Sequence, residues 1–83
     1  MNSPMKKVLI TGITGFAGSY LAQQLLFTKK FNVSGTYLLE ESLRNVQDIK
    51  DKLNLIKADL SLEKSVFNII KDISPSVIFH LAA

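Results

Sequence analysis

At 83 residues the chain has room for one small domain and not for two, and a composition of 47% hydrophobic and 20% charged residues excludes a disordered or collagen-like chain. With no Cys and a single His, disulfides, zinc fingers, iron–sulfur clusters and thiol catalysis are excluded, and no metal site is expected. The formal net charge of +3 comes from scattered Lys and the lone Arg44, paired only at Lys6-Lys7 and Lys29-Lys30, so a nucleic-acid partner is not expected.

Lys7-Val8-Leu9-Ile10-Thr11 is a short apolar, β-branched run, the pattern of a strand buried on both faces of a parallel sheet. Gly12-Ile13-Thr14-Gly15-Phe16-Ala17-Gly18 interrupts it. A helix is predicted from Ser19 to about Leu26, with Ala17, Leu21 and Leu25 on one stripe beside Ala22 and Leu26. Lys29-Lys30 are expected in its last turn, where positive charge suits the dipole. Phe31 to Tyr37 reads as a second strand, weakened by Gly35.

Residues 38–52 are polar and mixed, with Leu39, Leu43, Val46 and Ile49 spaced to form a stripe on a short helix. Leu53 to Ala58 is predicted as a third strand, ending at Asp59-Leu60. Ser61 then stands as an N-cap with Glu63 in the first turn. Leu62, Val66, Ile69, Ile70 and Ile73 predict one broad buried face on the helix that follows. Ser74-Pro75-Ser76 stops it, and Val77 to Leu81 is a fourth strand. The alternation of strands and helices predicts an α/β parallel sheet with helices on both faces.

Gly12, Gly15 and Gly18 follow a strand and open a helix, the setting of a loop that binds dinucleotide phosphates through backbone amides. Gly12 is assigned the tight turn, Gly15 the close approach of backbone to pyrophosphate, and Gly18 the packing of helix on strand. No stretch of about 18 apolar residues is present, and the first residues hold no apolar segment of signal type. A cytoplasmic protein with no membrane partner is expected.

The spacing G-x-x-G-x-x-G, with Asp59-Leu60, His80-Leu81-Ala82-Ala83 and Val33-x-Gly35-Thr36 in order behind it, resembles the extended short-chain dehydrogenase/reductase superfamily, the NAD-dependent epimerase/dehydratase group. Within it the chain is most similar to GDP-mannose 4,6-dehydratases and the related 4-keto-6-deoxy-mannose reductases. Those dehydratases carry Gln-Asp where this chain has Phe16-Ala17, and arginines where it has Leu38 and Leu39.

The resemblance implies a Rossmann-type sheet whose first four strands lie in spatial order 3-2-1-4, with residues 1–83 as the N-terminal part of an NAD(P)-binding domain. It implies cofactor contacts from Gly12, Ile13, Thr14, Gly15, Phe16, Ala17 and Gly18, from Tyr37 near the adenosine ribose, from Asp59 and Leu60 at the adenine, and from Leu81, Ala82 and Ala83 where the fourth strand ends beside the cofactor. NADP is favoured, because Tyr37 stands where an NAD site usually holds an acid, while NAD stays open. Arg44 reads as an exposed helix residue rather than a ligand.

No catalytic residue is assigned. The superfamily's catalytic Tyr has a Lys four places on, whereas Tyr20 is followed at that spacing by Gln24 and Tyr37 by Glu41. His80 reads as a packed residue on a buried strand, and Phe27, Phe31 and Phe67 as core or interface. The expected whole is therefore a nucleotide-sugar dehydratase acting on a GDP-sugar, homo-oligomeric at full length, of which this chain is an inactive cofactor-binding piece. A reductase or epimerase on the same scaffold is the alternative, with a non-enzymatic dinucleotide-binding module behind both.

Overall fold

The computed structural model describes residues 5–82. Four strands and two helices alternate: β1 (Lys6–Thr11), α1 (Phe16–Thr28), β2 (Phe31–Tyr37), β3 (Asn54–Lys57), α2 (Glu63–Ile73) and β4 (Val77–His80). Between β2 and β3 lie two short 3-10 helices, Glu40–Val46 and Lys50–Lys52. All three strand pairings are parallel and the order is β3-β2-β1-β4, as the sequence predicts.

Side chains alternate across the sheet. Val8 and Ile10 of β1 and Val33 of β2 join Ile13 and Ala22 in one buried cluster, against which Leu21, Leu25 and Leu26 of α1 pack. Burying each large member is worth about 1.5–3 kcal/mol. The opposite face presents Leu9, Thr36 and Ile78, which look across a cavity of about 170 Å³ at Val66, Ile69 and Ile70 of α2. Helices thus cover both faces, one closely and one loosely.

Several boundaries differ from the sequence expectation. Helix α1 begins at Phe16 rather than Ser19, because Gly15 is extended and serves as its N-cap. Its buried members are Gly18 and Ala22, while Ala17 is exposed. Lys29 lies beyond the last turn as a left-handed C-cap at φ 60°, its N–H donating to the Leu26 carbonyl at 3.1 Å.

Residues 38–52 do not form an α-helix. Of the predicted stripe only Val46 is buried, Ile49 packs on the core edge, and Leu39 is 61% exposed. The Ser61 cap also fails: Leu62 holds the N-cap position of α2, because the Ser61 hydroxyl is spent on Asp59 Oδ1 at 2.7 Å.

The predicted buried face of α2 is only partly buried. Ile69 is covered, but Leu62 is 56% and Ile70 38% exposed. Strand β4 bonds to β1 on one side and has no neighbour on the other among the described residues. His80 is accordingly exposed rather than packed. Of the three Phe residues, Phe31 packs against the core while Phe27 and Phe67 lie in the open. Among the described residues no helix is long and apolar enough to cross a membrane.

Candidate functional site

The carboxyl ends of three strands meet in one row, since Thr11 pairs with Thr36 on one side and with His80 on the other. Above that row the chain leaves β1 through Gly12, which adopts φ +73°. A side chain there is excluded twice, by that backbone and by the Ala82 nitrogen, which would lie 2.9 Å from a Cβ. Gly18 is required for a different reason. Its Cβ would run into the Gly12 carbonyl and the Ile13 backbone, so α1 could not seat on the end of β1.

Gly15 has no positive φ and no hard clash, only one tight contact that a Cβ would make on backbone. Its φ is −71° and its Cβ would meet only the Gly12 oxygen, at 3.3 Å. The folded chain therefore leaves an open cradle at Gly15 that a side chain would fill. Directly behind it, Ser19 N–H bonds the Gly15 carbonyl at 2.8 Å, which leaves the amides of Phe16, Ala17 and Gly18 as the first-turn donors without an intrahelical acceptor. No side chain caps them and no acidic residue stands in the first turn. The positive end of the helix and its free donors thus face the cradle, which fits an anionic phosphate group.

The amides of Gly12 and Ile13 are already used. Gly12 N–H donates to Thr36 Oγ1 at 3.2 Å and Ile13 N–H to the Thr36 carbonyl at 3.0 Å. Ile13 itself is fully buried, and Gly35 is the strand position over which its side chain lies.

A cleft of about 410 Å³ runs from this loop along the carboxyl ends of β2 and β3. Of the residues expected at a cofactor site, Gly12, Thr14, Tyr37, Asp59, Leu60 and Ala82 line it. Ile13, Gly15, Phe16, Ala17, Gly18 and Leu81 are not among its lining residues: Ile13 and Gly18 are buried, and Gly15, Phe16, Ala17 and Leu81 are exposed. Ala83 falls outside the described residues. Thr36, from the Val33-x-Gly35-Thr36 motif, and Leu38 and Leu39, which stand where the resembling dehydratases have arginines, also line it, although the resemblance assigns none of them a cofactor contact; Ala58, Ser61 and Ser42 are not singled out for the cleft by the sequence.

Asp59 is the one carboxylate lining the cleft. Its Oδ1 accepts the Ser61 hydroxyl at 2.7 Å and the Ser61 N–H at 3.0 Å. The hydroxyl first, and then the amide, hold the carboxyl below its ordinary value, with desolvation acting the other way. Asp59 is thus an anion with Oδ2 free to accept a further donor. Glu40 turns away to Lys57 Nζ at 3.5 Å, and Arg44 is exposed outside the lining. No group of three His, Cys, Asp or Glu side chains gathers among the described residues.

Sheet order, glycine loop and strand-end cleft together define a Rossmann-type member of the extended short-chain dehydrogenase/reductase class. The chain belongs to the GDP-mannose 4,6 dehydratase family, whose model matches residues 9–83. A GDP-mannose 4,6-dehydratase of Yersinia enterocolitica is 34% identical over 95% of this chain and 23% of its own length. A dTDP-glucose 4,6-dehydratase of Bacillus anthracis, solved with NAD, superposes with a TM-score of 0.83 at 26% identity over 94% of this chain and 27% of that one. A UDP-glucuronic acid 4-epimerase of Bacillus cereus, solved with UDP-glucuronic acid and NAD, gives 0.73 at 30% identity over 93% and 26%. The chain therefore spans about a quarter of the length of the relatives it matches.

Proposed function

We propose that the cleft binds a nicotinamide dinucleotide, NADP in preference to NAD, as the cofactor site of a longer GDP-sugar 4,6-dehydratase. The observation that carries this is the Gly15 cradle, which the fold needs less than Gly12 or Gly18, set before three free amides at the head of α1. Gly12 to Gly18 would hold the pyrophosphate, Tyr37 would lie at the adenosine ribose, and Asp59 Oδ2 with Leu60 would receive the adenine. Leu81, Ala82 and Ala83 would border the nicotinamide.

The preference for NADP is supported by the lining at the end of β2. Tyr37, Leu38, Leu39 and Ser42 stand there, and the nearby Glu40 faces Lys57 instead of the cleft. An NAD site usually holds both ribose hydroxyls with an acid at that place. NAD is the second reading, favoured because both solved relatives carry it.

When bound, the dinucleotide would supply the hydride-accepting and hydride-donating chemistry that acts on the sugar. The residues of this chain bind and orient, and none of them moves a proton. The same reading makes the full-length protein a cytoplasmic, homo-oligomeric lyase of which this chain is the N-terminal piece. A 4-epimerase or reductase is the alternative, since an epimerase is among the solved relatives.

Fluorescence titration with NADPH and NADH tests the site. Tighter binding of NADPH is expected; tighter NADH overturns the NADP preference, and binding of neither overturns the site. For the full-length protein, conversion of GDP-mannose to its 4-keto-6-deoxy derivative is expected, and epimerised or reduced sugar alone would replace the dehydratase reading.

A further inference from the structure

One side chain holds the glycine loop from outside. Asn45, in the 3-10 helix Glu40–Val46, donates its Nδ2 hydrogen to the Thr14 carbonyl at 2.9 Å. The Thr14 carbonyl and the Gly15 N–H belong to one planar peptide unit. That N–H in turn donates to the Gly12 carbonyl at 3.0 Å. The plane immediately before the three free amides of α1 is thus gripped at both ends, by the loop itself on one side and by Asn45 on the other. Val46, next in sequence, is 1% exposed and plugs the segment into the fold, which holds the Asn45 backbone within reach of the loop while Asn45 itself stays exposed.

We propose that Asn45 is a positioning residue of the dinucleotide site: by fixing the Thr14–Gly15 peptide plane it sets the direction in which the first-turn amides of α1 point. This rests on the dinucleotide reading above. Preorganised donors bind more tightly because ordering the loop is not charged against affinity.

The test uses the whole chain with Asn45→Ala and Asn45→Asp, NADPH as the probe, and amide exchange measured without ligand. Asn45→Ala should weaken NADPH about fivefold and speed exchange at Gly15 and Ser19 by a similar factor, the size of one net hydrogen bond, with β1 amides unchanged. Asn45→Asp presents an ionised oxygen that cannot donate, so its affinity, taken as a ratio to wild type, should be low at neutral pH. It should recover as pH falls through the carboxylate range and the protonated acid donates again. Urea midpoints followed over the same pH range separate this from a merely structural role, which would move stability together with affinity. Wild-type affinity and exchange in Asn45→Ala, or a pH-independent ratio for Asn45→Asp, overturns the proposal. If Asn45→Ala does not fold, the Asn45→Asp series decides. If wild type binds neither NADPH nor NADH, the dinucleotide reading falls, while the ligand-free exchange rates still judge whether Asn45 holds the loop.

Discussion

The hydroxyl of Thr11 lies 2.7 Å from His80 Nδ1, joining the carboxyl ends of β1 and β4. The same oxygen accepts the amides of Leu81 at 3.1 Å and Ala82 at 3.4 Å. The one hydroxyl thus ties His80, Leu81 and Ala82 to the end of β1. Thr11→Val keeps the shape and removes the hub. It should cost about 1–3 kcal/mol in urea unfolding, with Thr11→Ser restoring most of it. His80→Gln should cost less, because His80 is exposed. No loss in Thr11→Val, or a larger loss in Thr11→Ser than in Thr11→Val, would place the effect in the methyl group instead.

Gly18→Ala drives a Cβ into the Gly12 carbonyl, which is backbone and cannot yield. A loss of about 1–3 kcal/mol or more is expected, as for other overpacked contacts, read as a lowered urea midpoint. An unchanged midpoint would mean that α1 is not seated on the loop as described.

Asp59 sets a pH dependence. Its folded value lies below its unfolded one, so its ionised form favours folding. That contribution is present above the ordinary carboxylate value and is lost as pH falls through the depressed folded value. Ser61→Ala removes the larger cause and leaves the amide bond. The Asp59 carboxyl carbon should therefore titrate at higher pH in the variant, still short of the ordinary value. Identical midpoints in an NMR titration would contradict this.

Strand β4 offers an open edge whose Val77 and Ile78 are 39% and 45% exposed. Such an edge pairs with other chains. The isolated chain should associate more as concentration rises in sedimentation velocity, and Val77→Lys should suppress this. A concentration-independent monomer with a cooperative melt would contradict it.

The tight turn at Gly12 and the packing role of Gly18 were legible because each rests on local pattern, a buried apolar run and then glycines at fixed spacing, while the strand order followed from the family resemblance those motifs carry. The stretch from Leu38 to Lys52 was not. Its apolar residues fit a helical stripe, yet the segment is held by Val46 as a plug and by the Asn45 bond to Thr14, 31 residues away in sequence. Ser61 misled for a similar reason, since its hydroxyl had a competing acceptor two residues back in Asp59. The broad buried face on α2 needs a covering partner that periodicity cannot supply.

The central claim is that the cradle at Gly15 serves a ligand more than the fold. Gly15→Val, compared with wild type by urea unfolding and NADPH titration on the same samples, tests it most directly. Stability should change by about 1 kcal/mol or less, the scale of an N-cap substitution, while NADPH binding is lost. Binding that survives the substitution, or stability and binding lost together, would contradict the account.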